Sequence, residues 1–597
     1  MKKRARERPF PVSQTALRAK AAVWLRSAAV VLVPVFLLAA WHFGDVWRGI
    51  AETGHVWQAG VYLALAAAAL GGLGLLGWLI LVPGEAASWR PGWLLGKQNP
   101  SSGKPDSLSR QSYRRLERIY PAAGLLLGML YLAVLPPLSA PDEISHYVSA
   151  CQLSSRILGQ PSNDRFGRVL LRPQDAWVED LDGTFAYEAD EDGNLQVIPE
   201  TLGAGRKLCA VLDESAYQML WELRGGRQYA PERLASLNGA LVSSTYPPVV
   251  TTPLAYVPQA LGMVLARLLG MKTLGLMYLG RVGNLLFFVL MTWLAMGRLP
   301  FGKEVLFGVA LLPMTLHLSA SLSYDVMILG CMFLFTAVCL DLAYEKERAG
   351  IGDIGLLMVL MAVCGPCKLI YAVMMGLCLL IPVRKFGGWK GWALAAAAVG
   401  GAWAVAMYVV NSQVVASYVT ETETYVGWAG EPGYSMLYLA HHPVRLVRMF
   451  YQTLLWQSEW YHLTMIGAYL GSLDEVLNVP YLAVAAFTLG LLELAFKKPG
   501  EHIRMSLVQR IWVMVVCGLC VAAAMFSMLI ACTPLSSWVI DGVQGRYFLP
   551  FLPVLLMACK NRMVVLTRDR SRKVLYWMCC LNGFVVLRLF SVICMRL

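Results

Sequence analysis

Two carboxylates and a histidine stand close together in "LPPLSAPDEISHYVSA", residues 135–150: Asp142, Glu143 and His146. Adjacent acids suit two chemistries. One is the removal of a proton from a hydroxyl; the other is the holding of a divalent metal, with His146 three residues beyond Glu143 adding a nitrogen. A plain structural account covers the same letters, because Ser139, Pro141 and Asp142 also fit a capped helix start. A second candidate is "AVCGPCKLIY", where Cys364-Gly365-Pro366-Cys367 has the spacing of a redox dithiol and Lys368 follows. Isolated cations and a further acid complete the set: Arg281, Asp325 in "SLSYD", and Arg546 with Tyr547 in "QGRYFLP".

The elements that must position these residues are membrane helices. The chain has 597 residues, 57% of them hydrophobic and 15% charged, with a mean hydropathy of +0.54, which is the composition of a polytopic membrane protein. Apolar stretches near the roughly 20 residues a crossing needs run over 22–41, 57–82, 120–138, 274–296, 305–322, 326–342, 392–410, 482–496, 511–531, 547–557 and 574–593. Two shorter ones, 354–364 and 369–383, meet at CGPC. About 13 transmembrane helices are therefore expected, an all-α polytopic fold.

Basic residues orient them. Lys2, Lys3, Arg4, Arg6 and Arg8 put the N-terminus inside, as an uncleaved anchor. Arg90 to Arg118, Arg298 with Lys303, Lys346 with Arg348, Arg384 to Lys390, Lys497 to Arg504 and Lys560 to Lys573 then fall in inside loops. One topology satisfies all of them, so the net charge of +13 records orientation and predicts no nucleic-acid partner. Residues 139–251 and 411–479 then lie outside. The first holds nine basic and sixteen acidic residues and reads as a small mixed α/β excursion, with "TFAYEADEDGNLQVIP" forming a hairpin about Asp192-Gly193. "TTPLAYVPQALGMVLARLLG" reads as a helix lying at the interface, since a further crossing there would invert every later basic loop.

In this topology Asp142, Glu143, Arg281, Asp325, Lys368 and Arg546 share one depth, at the outer face. Cys151 and Cys209 share the first outer segment, where an oxidising compartment would permit a disulfide between them. Glu421, Glu423, His441 and His442 lie in the second, where a solvated loop also accounts for them.

The segments "PPLSAPDEISHY", "YPPVVTTPLAYVPQALG", "GRVGNLL", "LLPMTLHLSASLSYD", "CKLIY" and "GVQGRYFLP" occur in the order of the bacterial membrane family called domain of unknown function 2142. The chain resembles that family from about Tyr120 onward. Residues 1–119 then form an N-terminal two-helix addition with a basic cytoplasmic loop, and 120–597 the transmembrane domain that carries the resemblance. The family in turn resembles glycosyltransferases of the GT-C superfold, which implies a fold and a function. The implied function is transfer of a sugar from a polyprenyl-phosphate carrier to a glycan or lipid acceptor, on the extracytoplasmic face of the bacterial cytoplasmic membrane. The implied base is Asp142 or Glu143, with Arg546, Lys368 and Arg281 for the phosphate and Tyr547, His146 and Asp325 nearby. Tyr246 of "YPPVV" stands where those enzymes carry a basic residue before two prolines. No cofactor is implied beyond a divalent metal. Other classes remain open: a lipid-linked glycan flippase or transporter, a ligase or polymerase, and a quinone-linked dithiol oxidoreductase using Cys364 and Cys367.

Overall fold

The structure, a computed structural model, describes residues 14–53, 59–81, 107–181, 186–189, 195–198, 240–420, 424–471, 477–499 and 501–595. The basic residues at 2–8, 90, 97 and 104, the Asp192-Gly193 turn, Cys209, Glu421 and Glu423 lie outside them.

The helices longer than about a turn are α1 (Gln14–Thr53), α2 (Ala59–Leu81), α3 (Ser107–Val134), α4 (Glu143–Ile157), α5 (Val257–Leu268), α6 (Thr273–Arg298), α7 (Lys303–Ala310), α8 (Pro313–Ser319), α9 (Asp325–Tyr344) and α10 (Ile351–Cys367). They continue with α11 (Trp389–Thr420), α12 (Met436–His441), α13 (Pro443–Ile466), α14 (Tyr481–Ala495), α15 (Leu507–Cys532), α16 (Leu552–Ala558) and α17 (Ser571–Met595). Eight of them are long and apolar enough to cross a bilayer: α1, α2, α3, α6, α9, α11, α15 and α17. Three shorter apolar helices, α10, the 3₁₀ stretch Leu369–Leu380 and α14, match expected segments.

The remaining two expected crossings are broken. Residues 305–322 divide into α7 and α8 because Pro313 has no N–H to continue the ladder and its ring clashes with the preceding turn. Residues 547–557 divide into a 3₁₀ turn, Gly545–Phe548, and α16, with Pro550 and Pro553 at the join. Interrupted backbone at membrane depth survives only when enclosed by protein. Every residue of α7 and α8 except Lys303, at the very start of α7, is buried, as that requires.

The two short helices expected to meet at CGPC meet one step later. α10 runs through Pro366 and ends at Cys367, so the motif is its last turn, and Lys368 is the extended residue (φ −151°, ψ 113°) between it and the 3₁₀ stretch. The Asn411 amide donates to the Pro366 carbonyl (3.1 Å), satisfying one of the carbonyls that the end of the helix leaves without an intrahelical partner.

Helix α9 is apolar all round and its crossing window is wholly buried, so it is the axis about which the bundle packs. α1 and α2 lie outside, against α17, fastened by the Tyr576 hydroxyl donating to the Val31 carbonyl (2.8 Å). Between α3 and α6 the chain makes a small excursion: α4, then β1 (Leu170–Leu171), β2 (Ala186–Ala189), β3 (Leu195–Ile198) and β4 (Val242–Ser243). β1 pairs antiparallel with β4, and β2 with β3 in the register Ala186 opposite Ile198, the expected hairpin.

α5 has 12 residues, too few to cross. It lies on α6 backbone to backbone. A Cβ on Gly262 would stand 2.0 Å from the Leu279 carbonyl oxygen, and one on Gly283 2.3 Å from that of Pro258. Its other side exposes Leu261, Leu265 and Leu268 at helical spacing, an apolar face of the kind expected of an interfacial helix.

Charges sort to the two ends of the bundle. At one end Lys498 and Lys560 bond the buried Glu304 (2.7 and 2.9 Å), Lys303 bonds Glu117 (2.9 Å), Arg298 pairs with Asp341 (3.2 Å) and Asp353, and Lys385 caps the last carbonyls of α9. At the other end lie the ends of α3 and α10 and the beginnings of α4, α6 and α9.

Candidate functional site

The turn leaving α3 is bent by two left-handed residues, Leu138 (φ 66°) and Asp142 (φ 56°), the non-glycines with positive φ among the described residues. Leucine resists that region, so the surroundings must impose it, as they do at strained functional turns. The bend sends the neighbouring acids in opposite directions. Asp142, capping α4, exposes 76% of its side chain. Glu143 is buried.

Glu143 is spoken for. Its Oε2 accepts the Ala140 N–H (3.0 Å), its Oε1 accepts the Leu322 N–H (2.8 Å), and Arg281 Nε stands 3.9 Å from Oε1. Burial pushes its carboxyl pKa up, with Arg281 and the N–H donors pulling the other way. Arg281 is itself fully buried and donates to the carbonyls of Ala320 and Leu135 (3.0 Å to the latter). The pair ties α4, α6 and the loop after α8 together beneath the site.

The exposed layer is built around Arg546. Its Nη2 lies 3.9 Å from Asp142 Oδ2 and its Nε 3.7 Å from Asp325 Oδ2. Asp325, the first residue of α9, accepts a hydrogen bond from Lys368 Nζ (2.8 Å). Thus residues 142, 325, 368 and 546, far apart in sequence, form one alternating chain of charge. Arg546 is 7% exposed, yet its Nε has no hydrogen-bond partner among the described residues. A buried guanidinium N–H left in this state is uncommon in a folded protein.

The Arg546 turn is held from behind. Gly545 donates its N–H to Thr464 Oγ1 (2.8 Å), and a Cβ there would meet the Tyr461 carbonyl at 1.8 Å, so only glycine lets the turn seat on α13. Aromatic rings wall the cluster: Lys368 Nζ is 4.2 Å from the Tyr547 ring centre and 5.5 Å from that of Tyr324, and the Tyr371 hydroxyl donates to the Tyr547 carbonyl (3.0 Å). Tyr256, Tyr324 and Tyr371 escaped the sequence reading, although Tyr324 directly precedes Asp325.

His146 belongs to this wall. Its Nδ1 shares a 2.7 Å hydrogen bond with the Tyr256 hydroxyl, and its ring meets Tyr324 edge-on at 5.1 Å. Burial, opposed by Asp325 and reinforced by Arg546 and Lys368, pulls the imidazole pKa down to about 3 from its ordinary 6.5. The unfolded chain therefore binds this proton more readily than the folded one. The stability held by the neutral ring is complete above pH 6.5 and is lost as pH falls toward 3. Thermal unfolding between pH 7 and 4.5 will show a steeper acid loss in the wild type than in His146→Asn; equal slopes would remove His146 as the cause.

The expected Asp142, Glu143 and His146 metal set does not converge, since Glu143 turns inward and its oxygens are occupied. Among the described residues no group of three or more His, Cys, Asp or Glu has metal-holding geometry. Tyr246 is half-buried and donates its N–H to Ser244 Oγ (3.0 Å), while Val249 N–H donates to Ser149 Oγ (3.0 Å) and pins the YPPVV block on α4. His441 and His442 are exposed, their rings bonded to carbonyls of α12. Cys364 and Cys367 are buried, and Cys367 donates to the Val363 carbonyl of its own helix (3.2 Å), so no dithiol is presented to solvent. Cys151 is a buried free thiol beside Met263.

No curated protein and no solved structure matches the chain. Residues 125–555 match the family described as "Predicted membrane protein (DUF2142)", a span that takes in α4, the broken helices α7 and α8, the start of α16 and every member of the charge cluster. The chain belongs to that family of membrane proteins.

Proposed function

We propose that this membrane protein is a glycosyltransferase that takes a sugar from a polyprenyl-phosphate carrier and passes it to a glycan or lipid acceptor at the extracytoplasmic face. The observation that carries the reading is Arg546, buried with an Nε that is ion-paired to Asp325 yet makes no hydrogen bond among the described residues, beside Lys368 and 3.9 Å from the exposed carboxylate of Asp142. A guanidinium and an ammonium at one depth suit a phosphate. An exposed carboxylate beside them suits a hydroxyl.

In this mechanism Asp142 accepts the proton of the acceptor hydroxyl while its oxygen bonds to the anomeric carbon. The bond from that carbon to the carrier's phosphate oxygen breaks, with inversion, and the electron pair leaves on the phosphate. Arg546 and Lys368 stabilise that charge as it develops. Asp325 holds the two cations in place when no phosphate is present. The carrier's apolar tail lies among membrane helices, which are the only surroundings that would solvate it.

The test replaces Arg546 and Lys368 one at a time by Gln in a strain whose surface glycan can be profiled. Each substitution is expected to lower transfer by about 10²-fold, the usual cost of removing one donor from a developing charge. Unchanged glycan at normal protein levels in both strains would overturn the reading.

A further inference from the structure

Helix α13 carries two apolar stripes, and only one of them has a partner. The inward stripe, Met449, Thr453, Tyr461 and Thr464, is buried. It closes a small core of its own with Tyr434 and Leu439, the end of α15 (Met525, Leu529) and residues 540–543. The outward stripe, Val444, Val447, Tyr451, Leu454 and Leu455, recurs at helical spacing and is 48–80% exposed.

An apolar band of this length facing water is unusual in a soluble protein. Two observations identify what covers it. α13 packs on α14, whose Leu482 and Leu489 are likewise exposed, and its inner core is built on α15, which exposes Leu519 on a helix long enough to cross a bilayer. The stripe thus continues a surface that lipid must cover. Beside it stand Trp456 and Trp538, in edge contact at 5.8 Å and both more than half exposed, the residue type that collects at the boundary between acyl chains and headgroups. Arg445 is drawn away from the stripe, bonded to the Tyr434 hydroxyl (2.9 Å) and the Leu535 carbonyl (2.7 Å).

We propose that α13 is an interfacial helix whose outward stripe lies in the acyl-headgroup boundary of the leaflet at the site end. Because Gly545 seats directly on the α13 backbone, the depth at which this helix floats is the depth at which Arg546 is held. The inference needs only the membrane setting and stands apart from the transferase reading.

Spin-label accessibility tests it. One cysteine at a time is introduced at Val447 or Leu455 in the full chain carrying Cys559→Ser and otherwise its native cysteines, labelled with a nitroxide and reconstituted in nanodiscs of phosphatidylethanolamine and phosphatidylglycerol. The signal of the labelled parent chain is subtracted. At both positions dissolved oxygen is expected to collide several-fold more often than a nickel chelate, and a label at Phe166, in the excursion loop, is expected to show the reverse. Dominance of the nickel chelate at 447 and 455 would place the stripe in water and overturn the proposal. Exclusion of both reagents would overturn it in favour of a second copy of the chain. A label that prevents recovery of monodisperse protein is moved to Val444 or Leu454 on the same stripe. Neither position touches the charge cluster, so failure here leaves the glycan test intact.

Discussion

If Asp142 is the base of the proposed transfer, its replacement by Asn is expected to lower transfer by about 10²–10⁴-fold, the range for losing a positioned general base, and to leave the unfolding transition where it was. Both halves follow from the geometry. The carboxylate is mostly exposed and its one ion pair spans 3.9 Å, so its removal costs little stability. Asparagine also tolerates the left-handed backbone that Asp142 adopts. Only the proton-accepting oxygen is lost. Purified protein in nanodiscs, supplied with a polyprenyl-phosphate sugar and an acceptor, measures the rate, and calorimetry measures the fold. An unchanged rate would move the base to Asp325, the other carboxylate within reach of Arg546.

The opposite outcome is expected one residue along. Glu143→Ala removes the acceptor of two backbone N–H groups and the carboxylate facing a fully buried arginine. Breaking one partner from such a buried charge pair costs about 3–5 kcal/mol. The variant should unfold at markedly lower temperature and yield little folded protein, with the rate per folded molecule changed far less than in Asp142→Asn. Glu143→Gln keeps the shape and loses about 1–3 kcal/mol, because its amide nitrogen now faces a donor. A Glu143→Ala protein as stable as wild type would mean that the Arg281 clamp is satisfied by carbonyls alone.

These neighbours show what was legible in the sequence. Period and length marked the eight helices long enough to cross, and the basic loops predicted one depth for residues 142, 325, 368 and 546, whose side chains the fold brings together at one end of the bundle. The hairpin and the interfacial α5 were legible for the same reason: local pattern decides them. The different fates of Asp142 and Glu143 were not, because they hang on positive φ at a leucine and an aspartate, residue types that give no sign of it. The breaks in residues 305–322 and 547–557 are signalled by proline, yet hydropathy alone counts them as whole crossings. Gly545 carries no local signal either, since its necessity comes from a carbonyl of α13 more than 80 residues earlier in the chain.

The glycine contact between α5 and α6 bears on how this protein can vary. With peptide groups touching and no side chains between them to re-pack, the two helices have a single seating and must move as one piece. A saturation library over residues 257–268 would then be sharply one-sided: Leu261, Leu265 and Leu268 exchange freely among lipid-compatible residues, whereas Gly262 admits nothing. Adaptation to a bilayer of different thickness is therefore open to this helix through its outer residues, at no cost to the geometry it imposes on the polar cluster behind it.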